Sequence, residues 1–214
     1  LGYKLPINFD SPYQSASITE FWRRWHISLS TWLRDYLYIS LGGNRKGKLR
    51  TYINLMITML LGGLWHGAGL KFVIWGALHG LGLAVEKFIS SIIRIPKTRL
   101  TRVLGVLITF HFVCFAWVYF RADNMEGVKA MLTQITTAFH PEIFMDFIKG
   151  YPYILMLMVL GYVLHFIPSD IEKYTEQIVV KSPFALKVAY LLVIVFVVIQ
   201  IKSSEIQPFI YFQF

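Results

Sequence analysis

Charged residues and cysteine are both scarce in this chain of 214 residues. Asp, Glu, Lys and Arg make up 15% of it, whereas soluble domains average about 25%. Hydrophobic residues make up 56%, so the composition indicates an integral membrane protein. Cys114 is the single cysteine. It excludes a disulfide within the chain, and its place in an apolar run predicts a small apolar side chain with no redox role.

Acidic residues are the rarer charged class, with 12 Asp and Glu against 21 Lys and Arg and a net charge of +9. The basic residues gather at the ends of apolar runs. That placement is typical of topology determinants and of contacts with anionic headgroups, so we expect membrane lipids as partners and no nucleic acid. The chain starts LGYKLPINFD, without an initiator Met or a signal peptide. We therefore expect a fragment that lacks its N-terminal part.

Several common catalytic and metal-binding motifs are missing. The sequence has no Gly-x-Ser-x-Gly elbow of a serine hydrolase, and GGNRKGK (42–48) lacks the spacing of a phosphate-binding loop. It also has no HxxxH pair and no Cys–His cluster. A metal site is therefore not expected.

Five apolar runs follow the first fifty residues, at about 51–66, 70–93, 102–120, 152–167 and 184–201. An upright spanning helix needs about 20 apolar residues. The second, third and fifth runs are long enough, whereas the first and fourth suit re-entrant or sheltered helices. The intervening segments 121–150 and 168–183 look amphipathic and interfacial. We therefore predict an all-α integral membrane protein, a multi-span helical bundle with interfacial and re-entrant helices, within which 1–214 belong to a single domain.

Two clusters of basic residues predict the orientation of these runs. One lies in 45–50, before the first run, and the other in 94–102, between the second and third. Basic loops favour the cytoplasmic side. Runs one and two then form a hairpin that enters the membrane from the cytoplasm and returns to the cytoplasm. Residues 121–150 and the C-terminus are expected outside the cytoplasm.

Residues 17–40 read as one amphipathic helix at the membrane interface. At 100° per residue, Trp22, Trp25, His26 and Leu33 fall within one apolar arc. His26 is therefore expected to face protein or lipid. It is either a buried structural histidine or, with the arginines beside it, part of a site for a phosphate or carboxylate.

His66 follows an uncharged stretch, 51–65, and precedes Gly67-Ala68-Gly69. Glycines at that spacing favour a helix end. An imidazole there suits proton transfer near neutral pH. It equally suits a helix-end histidine bonded to a carbonyl, and the pattern alone leaves both readings open.

The other histidines favour structural or surface roles. His79 shares a helix face with Trp75 and Gly76, and Gly76 with Gly80 forms a small-xxx-small pair that favours close helix packing. His111 and His165, within later apolar runs, are interpreted in the same way. His140 precedes Pro141 in an exposed segment.

Long stretches of the sequence resemble one family. FWRRWHISLSTWLRDYLYISLGGNRKG and GGLWHGAGLKFVIWGALHGLGL, with FAWVYFRADNMEGV and the terminal PFIYFQF, are similar to membrane-bound O-acyltransferases (MBOAT). The closest likeness is to the bacterial branch of alginate O-acetylation and teichoic-acid D-alanylation. The resemblance implies that this chain is the C-terminal half of such a bundle. It places the family's near-invariant histidine at His66 and the branch's second histidine at His26.

The resemblance also implies an activity and its partners. An acetyl group would pass from a cytoplasmic thioester, acetyl-CoA or an acyl-carrier protein, to a hydroxyl across a bacterial inner membrane, with no tightly bound cofactor. The acceptor would be a polysaccharide or an extracytoplasmic SGNH-type acetyltransferase. His66 would be the general base or the acyl acceptor, and His26 would orient the donor or relay a proton. The passage would be lined by Trp22, Arg24, Trp25 and Trp65.

Three alternatives stay open. D-alanyl or another acyl transfer is possible within the family, although GGNRKG and RRWHISLS favour the branch that acetylates polysaccharides. A proton-coupled transporter would suit intramembrane histidines, but Glu86 is the only acidic residue near the interior of a run. A non-catalytic membrane subunit is the third.

Overall fold

The computed structural model describes residues 5–201, and its regular elements there are all helical. A short 3₁₀ helix spans Pro12–Gln14 and a π-helical segment spans Leu33–Tyr38. The α-helices are α1 Ile18–Arg24, α2 Ile27–Trp32, α3 Lys48–Trp65, α4 Leu70–Ile92, α5 Arg99–Arg121, α6 Met125–Thr137, α7 Ile143–Gly150, α8 Pro152–His165, α9 Ser169–Lys181 and α10 Phe184–Ile201. The predicted all-α class is confirmed. The terminal motif PFIYFQF (208–214) lies outside the described residues.

The chain divides into two compact units, Leu1–Tyr153 and Ile154–Phe214, where the sequence predicts a single domain. The first unit contains α1 to α7 and both histidines expected to be functional. The second unit contains α9, α10 and most of α8. Everything that follows about the site concerns the first unit.

Two described helices are long and apolar enough to cross a membrane by themselves, α4 and α5, with 23 residues each. They correspond to the second and third predicted runs. The first run became α3 and is not among these candidates. The fourth run, α8, and the described part of the fifth, Phe184–Ile199, pass the same test only when each is joined to the helix before it. Two to four spans therefore fit residues 5–201 by length and composition.

The single helix predicted over 17–40 is broken at His26. This residue has φ 44° and ψ 55°, a left-handed conformation that interrupts a right-handed helix. A continuous helix would pair the Ser28 N–H with the Arg24 carbonyl. Instead the Arg24 carbonyl accepts from the Asp10 N–H at 2.9 Å, and the Ser28 N–H donates to Asn8 Oδ1 at 3.0 Å. Residues 8–10, upstream of the helix, thus bond both groups that a continuous helix would pair with each other. The periodicity of 17–40 cannot reveal this, because the competing partners lie outside that segment.

Helices α3 and α4 form an antiparallel hairpin with close backbone contact. A Cβ atom on Gly76 would overlap the Met59 carbonyl oxygen, and one on Gly63 would overlap the Phe72 carbonyl oxygen. At Gly80 a Cβ atom would lie 3.0 Å from the sulfur of a methionine on α3. The close packing predicted from Gly76 and Gly80 is therefore confirmed.

A hydrophobic core joins this hairpin to α1 and α5. Its buried members are Phe21, Trp22, Met59, Trp75, Val113 and Ala116. Each of the four helices contributes to the set. The core therefore fixes α1, which precedes His26, against α3, which ends just before His66.

The basic loop between the π-helical segment and α3 is tied to the hairpin. Gly42, Gly43 and Gly47 all have positive φ, which glycine adopts without a steric penalty. The buried side chain of Asn54 donates to the carbonyls of Leu41 at 3.3 Å and Gly43 at 2.9 Å. The turn that carries Arg45 and Lys46 is thereby held at the start of α3.

Candidate active site

His66 lies immediately after the last residue of α3, as the sequence predicts. Its backbone N–H still donates to the Gly63 carbonyl at 3.0 Å, and the next residue, Gly67, has φ 150°. A Cβ atom on Gly67 would also lie 2.6 Å from the Phe72 ring. Both the backbone conformation at position 67 and the lack of room for a Cβ atom therefore require glycine there. This glycine ends α3, with His66 as the C-cap residue directly before it.

Aromatic rings surround the His66 imidazole, and three of them meet it edge to face. The ring centroids of Trp65, Trp75 and Phe120 lie 5.0, 5.3 and 5.1 Å away, each in an edge-to-face arrangement. His66 itself is only partly buried. The residue thus has an aromatic wall on several sides and stays accessible to a reactant.

His26 is also partly buried, at the break between α1 and α2. Its Nδ1 atom lies 3.4 Å from the Ser28 hydroxyl oxygen, and its ring packs 6.0 Å from the Phe9 ring. Burial disfavours the charged imidazolium and lowers the pKa of His26 from its usual 6.5. The neutral imidazole therefore persists to a lower pH than in an exposed histidine.

The structure brings His26 and His66 into one neighbourhood. Burial, and to a lesser extent a positive charge on His26, lowers the pKa of His66 to about 4, so each imidazole lies within range of the other's charge. Forty positions separate them in the sequence. The aromatic core between α1, α3 and α4 supplies the connection, and no motif in either segment encodes it alone.

Trp22 is joined to a third histidine. Its indole N–H donates to Nδ1 of His79 at 3.2 Å, and the His79 side chain is completely buried. The His79 ring stacks on Phe21 and meets Trp75 edge to face, with centroids 6.0 and 4.8 Å apart. Because Nδ1 accepts this bond, the ring proton of neutral His79 resides on Nε2.

His79 therefore belongs to the wall behind the site, in keeping with the structural role expected from its sequence. Trp22 contacts Trp75 at 5.8 Å, and Trp75 in turn contacts His66. The shortest link from His79 to the site runs through Trp75, which contacts both the His79 and the His66 rings. The only sequence signal was the shared helix face of His79 and Trp75.

The remaining predicted lining residues occupy different surroundings. Trp65 is half exposed and meets the His66 ring directly. Trp25 packs between Phe9 and Trp117, at 4.8 and 5.0 Å. Their roles along a substrate path stay predictions.

Arg24 is occupied by neighbouring groups. Its Nε atom donates to Glu20 Oε1 at 3.1 Å, and Nη1 donates to the Asp10 carbonyl at 3.2 Å. The bond to Asp10 holds the strap formed by residues 8–10 against α1, and the bond to Glu20 lies within α1. The contacts of Arg24 therefore favour positioning of the His26 break, and its predicted role in the passage stays a prediction.

A cavity of about 620 Å³ lies between the α1–α2 segment and the hairpin. Its apolar lining includes Trp22, Leu33 and Met59, and its cationic lining is formed by Arg23, Arg34 and Lys87. The lining residues of α3 and α4 lie toward the end of the hairpin that adjoins the basic loop. Trp22 lines this cavity and also contacts Trp75, so one aromatic pair separates the cavity from His66.

Known proteins are similar to this chain over 56% to 61% of its length. The probable alginate O-acetylase AlgI of Pseudomonas fluorescens is 56% identical over 131 residues, 61% of this chain and 26% of that protein. The peptidoglycan O-acetyltransferase of Helicobacter pylori is 52% identical over 129 residues, 60% of this chain and 24% of that protein. The teichoic acid D-alanyltransferase of Bacillus subtilis is 34% identical over 131 residues, 56% of this chain and 33% of that protein.

The matched stretch therefore spans only 24% to 33% of the length of these relatives. Residues 2–126 match the membrane-bound O-acyltransferase family along more than half of the chain. That range contains α1 to α5, His26, His66 and the cavity lining. The apolar helices α4 and α5 agree with it. The chain is a membrane protein and belongs to the membrane-bound O-acyltransferase family.

Proposed function

We propose that this chain carries the reaction centre of a membrane O-acetyltransferase, with His66 as its catalytic residue. The observation that carries the proposal is the position of His66 at the glycine-stopped end of α3, inside an aromatic wall and within range of the charge on His26. A neutral imidazole in such a site is suited to move a proton or to accept an acyl group. Membership of the family supports the same reaction class.

The proposed reaction is acyl transfer from a thioester to a hydroxyl. His66 takes the hydroxyl proton while the oxygen bonds to the thioester carbonyl carbon. The carbon–sulfur bond then breaks, and the departing sulfur receives the proton from the imidazolium. Alternatively, an imidazole nitrogen accepts the acyl group and passes it to the hydroxyl in a second step. The aromatic wall of Trp65, Trp75 and Phe120 limits the access of water to the thioester.

The cavity is the proposed donor site. Among its charged lining residues, Arg23 and Lys87 suit the phosphates of acetyl-CoA or an acidic carrier protein, and its apolar wall suits a thioester arm. Arg34 is paired with Asp35 at 2.7 Å, and the Glu86 carboxylate accepts from the Thr19 N–H at 3.0 Å. It lies toward the basic loop, which the positive-inside rule assigns to the cytoplasm. Met59, in its lining, precedes His66 by seven residues, which is about 10 Å at 1.5 Å per helical residue. A donor held there reaches toward the catalytic residue.

The proposed acceptor is a hydroxyl outside the cytoplasm, on a polysaccharide or on an SGNH-type acetyltransferase that completes the transfer. The two relatives named for O-acetylation are 56% and 52% identical, whereas the one named for D-alanylation is 34% identical. Acetyl transfer is therefore favoured over D-alanyl transfer. The proposed location is a bacterial inner membrane, crossed more than once.

The test is acetylation by the full-length protein carrying His66→Ala or His66→Gln. We expect a loss of at least about 100-fold, because positioned acid–base groups contribute at least that much. His111→Gln is the matched control, since His111 lies on α5 with Nδ1 2.8 Å from the Leu107 carbonyl, away from the site. Near-normal acetylation in both His66 variants, with normal expression, overturns the proposal and leaves a non-catalytic subunit or a transporter.

A second measurement separates the two proposed roles of His66. After rapid mixing with the thioester donor and acid quenching, mass spectrometry of the peptide containing His66 reports whether the acyl group is attached. An acylated His66 supports its role as acyl acceptor. If no acylated His66 is found in a fully active protein, the result supports its role as general base.

A further inference from the structure

The hydrogen bonds around His26 define which of its ring nitrogens carries the proton. Asn8 Oδ1 accepts from the backbone N–H of Ser28 at 3.0 Å. A backbone N–H only donates, so the Asn8 atom that faces it is the amide oxygen and not the nitrogen. This contact fixes the orientation of the Asn8 side chain.

The Ser28 hydroxyl lies 3.0 Å from the same Asn8 oxygen. An amide oxygen only accepts hydrogen bonds, so the Ser28 hydroxyl donates its one proton to Asn8 Oδ1. The lone pairs of the hydroxyl oxygen are then what His26 Nδ1 meets at 3.4 Å. A lone pair on Nδ1 would be repelled there, whereas an Nδ1–H donates a hydrogen bond.

We infer that Asn8 and Ser28 are positioning residues that hold neutral His26 as its Nδ1–H tautomer and leave Nε2 as the basic nitrogen. The relay runs from His26 Nδ1–H to the Ser28 oxygen, and from the Ser28 hydroxyl to Asn8 Oδ1. The role of the second ring nitrogen in a histidine site is commonly set in this way. The tautomer follows from these contacts alone, and its use in proton relay or donor orientation rests on the proposed function.

The backbone on both sides of His26 supports the same arrangement. The Ile27 N–H donates to the Asn8 carbonyl at 2.9 Å, and the Asp10 N–H donates to the Arg24 carbonyl at 2.9 Å. His26 sits between these two bonds at φ 44°, a conformation that non-glycine residues adopt only when their surroundings impose it. The strap 8–10 therefore fixes the backbone of His26 as well as its ring.

The experiment is ¹⁵N NMR of histidine-labelled full-length protein in lipid bilayers, with the His26 signals assigned by their disappearance in His26→Gln. We expect a protonated Nδ1 and an unprotonated Nε2 in the unmodified protein at neutral pH. Asn8→Ala frees the Ser28 hydroxyl to donate to Nδ1, so the tautomer shifts toward Nε2–H. Asn8→Asp keeps the acceptor oxygen and keeps the original tautomer. Ser91→Ala is the matched control, because the Ser91 hydroxyl donates to the Phe88 carbonyl within α4 and does not line the cavity.

An Nε2–H tautomer in the unmodified protein overturns the inference, and so does an unchanged tautomer in Asn8→Ala. Acetylation activity is measured in the same variants as a separate test of the proposed function. A loss of about tenfold or more in Asn8→Ala, restored in Asn8→Asp, places the Nε2 atom in the reaction. The tautomer shift with unchanged acetylation leaves the tautomer assignment standing and removes His26 from the proposed function.

Discussion

The indole nitrogen of Trp22 donates a hydrogen bond to Nδ1 of His79, 3.2 Å away and 57 positions further along the chain. This bond links α1 to α4 within the aromatic core that separates the cavity from His66. Both partners are buried, Trp22 at 9% exposure and His79 at 0%. The position of α1 relative to α4 is therefore held by a polar bond in otherwise apolar surroundings.

Removing the donor of this bond is expected to destabilise the protein. Trp22→Phe leaves the Nδ1 acceptor of His79 buried without a partner, which costs about 1–3 kcal/mol. The measurement is the free energy of unfolding in detergent. Trp32→Phe is the control, because Trp32 is 52% exposed and stacks only on Tyr36 among the aromatic rings of the described residues. Equal losses in both variants would contradict the importance of this bond.

A side chain at Gly76 is expected to separate α3 from α4. The Cβ atom of Gly76→Ala would overlap the Met59 carbonyl oxygen, and overpacking of this kind typically costs about 1–3 kcal/mol. Thermal unfolding in detergent gives the size of the effect. In Gly161→Ala, on α8, the added methyl meets no atom within 4 Å, so stability there is expected to be unchanged or higher. A stable Gly76→Ala would show that the hairpin tolerates a wider spacing.

Acid is expected to destabilise the fold partly through His26. Burial lowers its pKa in the folded state below the usual 6.5, so the unfolded chain binds the proton more readily. The stability that the neutral ring contributes is present above pH 6.5 and is lost as the pH falls through the folded-state pKa. Melting temperatures measured from pH 7.5 downward should fall less steeply in His26→Gln than in the unmodified protein. Parallel curves for the two proteins would contradict the lowered pKa.

The basic loop is expected to loosen when its anchor is removed. Asn54→Leu deletes the side-chain bonds to the carbonyls of Leu41 and Gly43. Hydrogen exchange should then become faster in peptides covering 42–47, while exchange in α5 stays the same. If the loop exchanges at the original rate, its order comes from other contacts and not from Asn54.

The orientation of the basic segments can be tested with one introduced cysteine. In a Cys114→Ala background, Lys97→Cys is expected to resist a membrane-impermeant thiol reagent in intact cells and to react after permeabilisation. This follows from the assignment of residues 94–102 to the cytoplasm. Rapid labelling in intact cells would invert the predicted topology.

Local signals in the sequence were sufficient for part of this structure. The apolar lengths of α4 and α5, the glycines after His66 and the small residues at 76 and 80 each act through the chain segment in which they occur. Each therefore predicted its own feature correctly. The all-α class follows from the same local patterns.

The break at His26 required contacts that no local pattern contains. Periodicity over 17–40 assumes that the Arg24 carbonyl pairs with the Ser28 N–H, but Asp10 and Asn8 take these partners from upstream. The electrostatic interaction between His26 and His66 depends on the packing of α1 against the hairpin. Periodicity describes one helix at a time and cannot supply such a contact.

The glycine contacts between α3 and α4 have a mechanical consequence for His66. Backbone lies against backbone at Gly63 and at Gly76, so sliding one helix along the other by a single residue would drive a Cβ atom into a carbonyl group. The two helices are therefore locked in register, which keeps His66 and Trp75 at a fixed separation. Any rearrangement around His66 is then expected in the half-exposed Trp65 or in the strapped segment around His26, and not between α3 and α4.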